Sequence, residues 1–100
     1  MRKDQELGIP PGAAEDPKSL EMLRAWIANG GLHCNLRIGT WADREAIAWG
    51  IVLSDAARHV ADALAKEKGI SREETLAAIR ESFDREIETP TAETEGNFVQ

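Results

Sequence analysis

The sequence predicts a small, mainly α-helical domain with one short β-strand, in the order helix, strand, helix, helix. Apolar residues recur at helical spacing in three segments between residues 16 and 88. Residues 32–38 instead alternate apolar and polar side chains, which is typical of a half-buried strand. A lone strand cannot satisfy its own backbone N–H and C=O groups. We therefore expect a compact helical domain whose strand pairs antiparallel with that of a second subunit.

The chain of 100 residues is long enough for one domain. Residues 1–15 are polar and contain Pro10-Pro11-Gly12, which predicts a flexible N-terminal arm. Residues 16–88 form the predicted domain. Residues 89–100 follow as a flexible tail rich in Thr and Glu, in which residues 97–100 are compatible with a short strand.

The first predicted helix follows Asp16, a typical N-cap, and has Pro17 at its first position. Leu20, Leu23 and Ile27 recur on one face of it. Asn29-Gly30-Gly31 then favours a left-handed helix stop. These signals predict a helix from residue 17 to about residue 28.

The predicted strand has an apolar face, formed by Leu32 and every second residue to Ile38, and a polar face of His33, Asn35 and Arg37. Antiparallel self-pairing would place a two-fold axis near Asn35. Trp41 follows the strand, where tryptophan often anchors an interface. The predicted interface residues are Leu32, Cys34, Asn35, Leu36, Ile38 and Trp41.

Two further helices are predicted after the strand. A long one runs from Arg44 to Lys68, with Asp43 as its N-cap and Gly69 as its stop. Ser71-Arg-Glu-Glu74 is a capping box that opens the last helix, which Pro90 ends. The last helix carries one apolar face, formed by Leu76, Ile79, Phe83 and Ile87.

Charge and cysteine content limit the function. The net charge of −6 argues against nucleic-acid and anionic-membrane partners, which select basic surfaces. Cys34 is the single cysteine, so no intramolecular disulfide can form. No secretory signal and no stretch of about 20 apolar residues is evident, so we expect a reduced, cytoplasmic protein.

One constellation on the long helix could carry chemistry. Asp55, Arg58 and His59 lie at helical spacing, and Asp55 with His59 could orient a general base. The favoured interpretation is a solvated charged face; the alternative is a ligand or catalytic site, with His33 added across a dimer interface. One cysteine and two histidines without close spacing predict no metal site, and no phosphate loop or cofactor is expected.

Most of the chain resembles a family of small alphaproteobacterial proteins known only as a domain of unknown function. The resemblance is carried by Ile9-Pro10-Pro11 with Glu15-Asp16-Pro17, by the segment from Leu32 to Trp41, and by Ala48-Trp49-Gly50 followed by Asp55-Ala-Ala-Arg-His59. It implies a cytosolic bacterial protein and supplies no activity.

A second, local resemblance is to ribbon–helix–helix repressors of the Arc type. Asn35-Leu36-Arg37, Gly69-Ile70-Ser71 and Glu81-Ser82-Phe83 are similar to pieces of that family. It implies that His33, Asn35 and Arg37 read bases in the major groove. The longer segment between strand and last helix, the extra first helix and the acidic balance depart from that family.

The favoured prediction is a non-enzymatic homodimer or higher even oligomer, or a protein-interaction module, that assembles through the strand. The alternatives are a DNA-binding regulator that uses the polar strand face, and a small-ligand binder or enzyme centred on Asp55, Arg58 and His59.

Overall fold

The chain folds into a helical hairpin and a three-stranded sheet, so the mainly α-helical class is confirmed. A computed structural model describes residues 3–91 and 95–99. Short 3₁₀ turns occupy residues 3–5 and 42–44. The main elements are α1 (Pro11–Glu15), β1 (Leu23–Ala28), β2 (Gly31–Arg37), α2 (Glu45–Lys68), α3 (Arg72–Glu88) and β3 (Glu95–Val99).

The helix predicted over residues 17–28 is wrong, because residues 23–28 form strand β1. Burial along β1 alternates residue by residue, which is the period of a strand. Asn29 and Gly30 have φ values of 52° and 76° and join β1 to β2 in a two-residue turn. Asn-Gly with two positive φ angles is the preferred turn of a tight β-hairpin. The dipeptide therefore closes a hairpin here and does not end a helix.

The central strand of the sheet is β2, which is the strand that the sequence predicts. It pairs antiparallel with β1, from Leu23 opposite Leu36 to Ala28 opposite Gly31. On its other side it pairs parallel with β3, from His33 opposite Glu95 to Arg37 opposite Val99. The expectation of a single strand without a partner in its own chain is therefore wrong. Residues 97–99 of the predicted C-terminal strand lie in β3, and residue 100 lies outside the described residues.

The helical hairpin agrees closely with the sequence. Helix α2 ends at Gly69, whose φ of 69° provides the left-handed cap. The hydroxyl of Ser71 accepts a hydrogen bond from the Glu74 N–H at 3.3 Å, which confirms the cap of α3. The predicted N-cap Asp43 is wrong, because residue 43 lies in a 3₁₀ turn and α2 begins at residue 45.

Helices α2 and α3 pack together, with Ala61 fully buried and Thr75 nearly so. Within the described ranges, contacts also join β1 to β2 and β2 to β3, but no strand packs against α2 or α3. A parallel crossover such as β2–α2–α3–β3 ordinarily lays its helices on a face of the sheet. In one copy of this chain that layer is missing.

The accessible surface area and the radius of gyration also indicate that one copy leaves its sheet uncovered. The accessible surface is 8634 Å², whereas a compact 11.0 kDa monomer would expose about 5,600 Å². The radius of gyration is 15.3 Å, against about 13 Å for a compact domain of 100 residues. A single copy therefore leaves much of its apolar surface in water. No helix among the described residues is long and apolar enough to cross a membrane.

Candidate functional site: the uncovered face of the sheet

One side of the β1–β2 hairpin carries only apolar side chains. Residues directly opposite each other on paired strands project to the same side. Leu23 is opposite Leu36 and Ile27 is opposite Leu32, with a third such pair between them. Ile27 is 78% exposed and Leu32 is 42% exposed. This apolar face consists of Leu23, Ala25, Ile27, Leu32, Cys34 and Leu36.

The other side of the hairpin, which we call the polar face, also carries Trp26, and three of its polar side chains contact the chain's own residues. Arg24 forms ion pairs with Glu6 at 2.8 Å and Glu21 at 3.1 Å. The Nε of Arg37 donates to the backbone carbonyl of Glu21 at 3.0 Å. A ring nitrogen of His33 lies 3.1 Å from the Ala28 carbonyl oxygen. The cations of this face are therefore partly neutralised within the chain.

A partly open depression of about 310 Å³ lies at the Leu23 end of the hairpin. Both faces contribute side chains to its lining. The lining residues are Glu21, Leu23, Arg24, Asn35, Leu36 and Arg37. Because it is only partly enclosed, it would leave much of a small ligand in contact with solvent.

The connection from β2 to α2 is held by the carboxylate of Glu45. It accepts hydrogen bonds from the Trp41 N–H at 2.9 Å, the Gly39 N–H at 3.2 Å and the Trp49 Nε1–H at 2.8 Å. The Trp41 N–H is the main cause that holds the pKa of Glu45 below its ordinary value, and the other two donors add to it. The rings of Trp41 and Trp49 meet edge to face, with centroids 6.1 Å apart. We call these four residues the Glu45 clamp.

The helical hairpin also exposes apolar side chains, mostly at the end away from the α2–α3 connection. Ile47 and Ile51 are each 57% exposed in the first half of α2. Phe83 and Ile87 are exposed in the last half of α3, Ile87 by 67%. The α2 pair lies in the half of its helix before residue 57 and the α3 pair in the half after residue 80, so both pairs lie away from the α2–α3 connection. These four residues are the helical patch.

The predicted ligand site on the long helix is an exposed face of α2. Arg58 forms an ion pair with Asp55, and His59 is exposed. The neighbouring Asp62 pairs with Arg72 of α3 and so ties the two helices together. In the part of the chain that the structure describes, no group of three or more His, Cys, Asp or Glu side chains could hold a metal ion. Ligand binding at Asp55, Arg58 and His59 stays a prediction.

The predicted interface residues fall into three places. Leu32, Cys34 and Leu36 lie on the apolar face, whereas Asn35 lies on the polar face. Ile38 directly follows β2 and is half-buried. Trp41 belongs to the Glu45 clamp and contacts Trp49. A role for these six in an interface stays a prediction.

Sequence reasoning missed half of the apolar face, because Leu23, Ala25 and Ile27 lie in the segment assigned to a helix. Their alternation with Arg24 and Trp26 is the signal that could have identified them. The clamp was also missed. Its signal is that Glu45 lies four residues after Trp41 and four residues before Trp49.

Comparison with known proteins identifies the family but no activity. A solved structure from the photosynthetic bacterium Rhodopseudomonas palustrus CGA009, described as a putative pyruvate dehydrogenase, is 32% identical to this chain. The match covers 88% of each chain, with a TM-score of 0.63. A search of curated proteins found no match. Residues 6–91 match the family model for a domain of unknown function, DUF5076. This match confirms the predicted resemblance to a domain of unknown function, and the chain belongs to that family.

Proposed function

We propose that the chain is a non-enzymatic module that assembles with itself through apolar surfaces that one copy leaves exposed. The observation that carries the proposal is the apolar face of the β1–β2 hairpin, against which none of the chain's described helices packs. Monomeric proteins rarely leave a continuous apolar patch of this kind in water.

The size of the exposed surface supports a large interface. The chain exposes about 3,000 Å² more than a compact monomer of its mass. The N-terminal segment accounts for part of that excess. A standard interface buries about 800 Å² on each partner, and permanent homodimers bury more. Contact through apolar faces accounts for this excess better than edge pairing of β2 with a second copy, because β1 and β3 already occupy the two edges of β2.

The alternatives receive less support. DNA binding through His33, Asn35 and Arg37 would need a basic surface, but Arg24 beside them is paired with two glutamates and the net charge is −6. The description of the Rhodopseudomonas protein as a putative pyruvate dehydrogenase concerns that protein. We extend no activity from it, because the candidate chemical residues here lie on one helix, with Arg58 and His59 exposed and Asp55 half-buried.

The test of this proposal is the mass in solution. Sedimentation equilibrium of the full chain at low micromolar concentration should give an even multiple of 11.0 kDa. High salt should leave that mass unchanged, because apolar burial is not screened as ion pairs are. A stable species of 11.0 kDa under these conditions would contradict the proposal.

A further inference from the structure

We propose that the apolar face of each copy is covered by the helical patch of a second copy, in a reciprocal, two-fold dimer. This inference rests on the proposed self-assembly and names the two surfaces that meet. In this dimer the partner's helices α2 and α3 cover the apolar face of the sheet, which the chain's own helices leave uncovered.

The first support is that both surfaces are exposed and apolar in one copy. The apolar face lacks any charged side chain, and Ile27, at the end next to the hairpin turn, is 78% exposed. The helical patch presents two large apolar residues on each helix, at i, i+4 spacing, so that each pair shares one side of its helix. A helix laid on a sheet face is the ordinary way to bury both surfaces.

The second support is the Glu45 clamp, which opposes coverage by the chain's own helices. The clamp ties Gly39 and Trp41 to the first turns of α2, and β2 ends at Arg37. Ile38 is therefore the only residue between the end of the strand and the clamped segment. Moving α2 onto its own sheet would require breaking the clamp, whereas a second copy can supply its helices without that change.

The third support is closure. When surface A of one copy binds surface B of the other, a two-fold axis makes the reverse contact as well and leaves neither surface free. Such a dimer is finite. In this dimer each copy contributes the helical layer that the sheet of the other copy lacks.

The single cysteine provides a direct test, because Cys34 lies on the apolar face and is half-buried. Introducing Ile51→Cys places one further thiol on the helical patch. A short bis-maleimide should then join Cys34 of one copy to position 51 of the other, giving a covalent dimer whose linked peptides mass spectrometry identifies. The matched control is Ile9→Cys, since Ile9 is 72% exposed but lies on the N-terminal segment. The yield of its link to Cys34 should be clearly lower than that of the link to position 51.

Mixing ¹⁴N- and ¹⁵N-labelled copies before cross-linking separates the outcomes. Mixed-isotope pairs of Cys34 with position 51 support the inference. The same link within one chain would overturn it, because the chain's own helices would then cover the sheet. Links between two copies of Cys34, obtained already with the unaltered chain, would also overturn it, because the two sheets would then face each other.

The two proposals can fail separately. If sedimentation gives an even multiple of 11.0 kDa and Cys34 forms no link to the helical patch, self-assembly stands and the assignment of its surfaces is wrong. A second variant, Ile87→Cys on α3, guards against poor geometry at a single position. If both variants assemble and neither forms the link, the inference is overturned. A mass of 11.0 kDa would end both proposals.

Discussion

Replacing Ile27 by alanine should weaken self-association strongly, because the part of Ile27 that one copy exposes would be covered by the partner. The substitution removes three carbon groups, each of which contributes about 0.8 kcal/mol when buried, or about 2.4 kcal/mol in all. Since 78% of Ile27 is exposed in one copy, a partner that covers it would account for about 1.9 kcal/mol per copy. For two copies this is about 3.7 kcal/mol, or a dissociation constant about 500-fold higher.

The assay is sedimentation equilibrium over a range of protein concentrations, with Ile9→Ala as the matched control. Ile9 is 72% exposed, so the two substitutions remove the same groups from nearly equal exposure. The control should change the association free energy by no more than about 0.5 kcal/mol, as is usual for surface substitutions. Equal, small effects of the two substitutions would refute the reasoning, because Ile27 would then remain in water in the assembled protein.

Three further predictions concern the folding of one copy. Gly30→Ala places a side chain at a φ of 76° in the hairpin turn and should lower the free energy of unfolding by about 1–2 kcal/mol, measured by urea denaturation. Ala61→Leu should cost about 1–3 kcal/mol in the same measurement, because Ala61 of α2 is fully buried and the larger side chain must displace its neighbours. Glu45→Gln should lower the melting temperature above pH 4.5. The folded-state pKa of Glu45 lies below the ordinary 4.5, so its contribution is complete above that value and is lost as the pH falls through the folded-state pKa. The difference in melting temperature between the two proteins, followed by tryptophan fluorescence, should therefore shrink at lower pH. A difference that persists would contradict the role of the clamp.

The helical hairpin could be predicted because its signals are local. Gly69 and the Ser71–Glu74 cap act within a few residues of their own positions, and the structure uses both as the sequence indicates. The strand over residues 32–37 was predictable for the same reason, from its alternation. Each of these patterns has one low-energy interpretation.

The sequence pattern of the segment before that strand fits two different structures. Leu20, Leu23 and Ile27 fit a helical face, while Leu23, Ala25 and Ile27 fit a strand face. Asn29-Gly30 does not decide between them, because positive φ angles serve both a helix stop and a hairpin turn. Pairing with β2 favours the strand, and that interaction lies outside the segment itself. The sequence pattern therefore predicted half of the apolar face and missed the other half.

The remaining features depend on contacts between distant parts of the chain. The parallel pairing of β3 with β2 joins residues about 60 positions apart. Whether α2 and α3 cover the sheet of their own chain is likewise decided by contacts between elements, and none joins a described strand to α2 or α3. Hydrophobic periodicity says which side of an element is apolar, but it does not say which element covers that side.

The most direct test of the central claim needs no substitution. In a dimer that mixes ¹³C-labelled and unlabelled copies, isotope-filtered NOE spectra report only contacts between copies. The methyl groups of Ile27 and Leu32 should show such contacts to the side chains of Ile51 and Phe83 in the other copy. If those methyl groups contact only their own chain, or only the same face of the second copy, the account of how this sheet is covered is wrong.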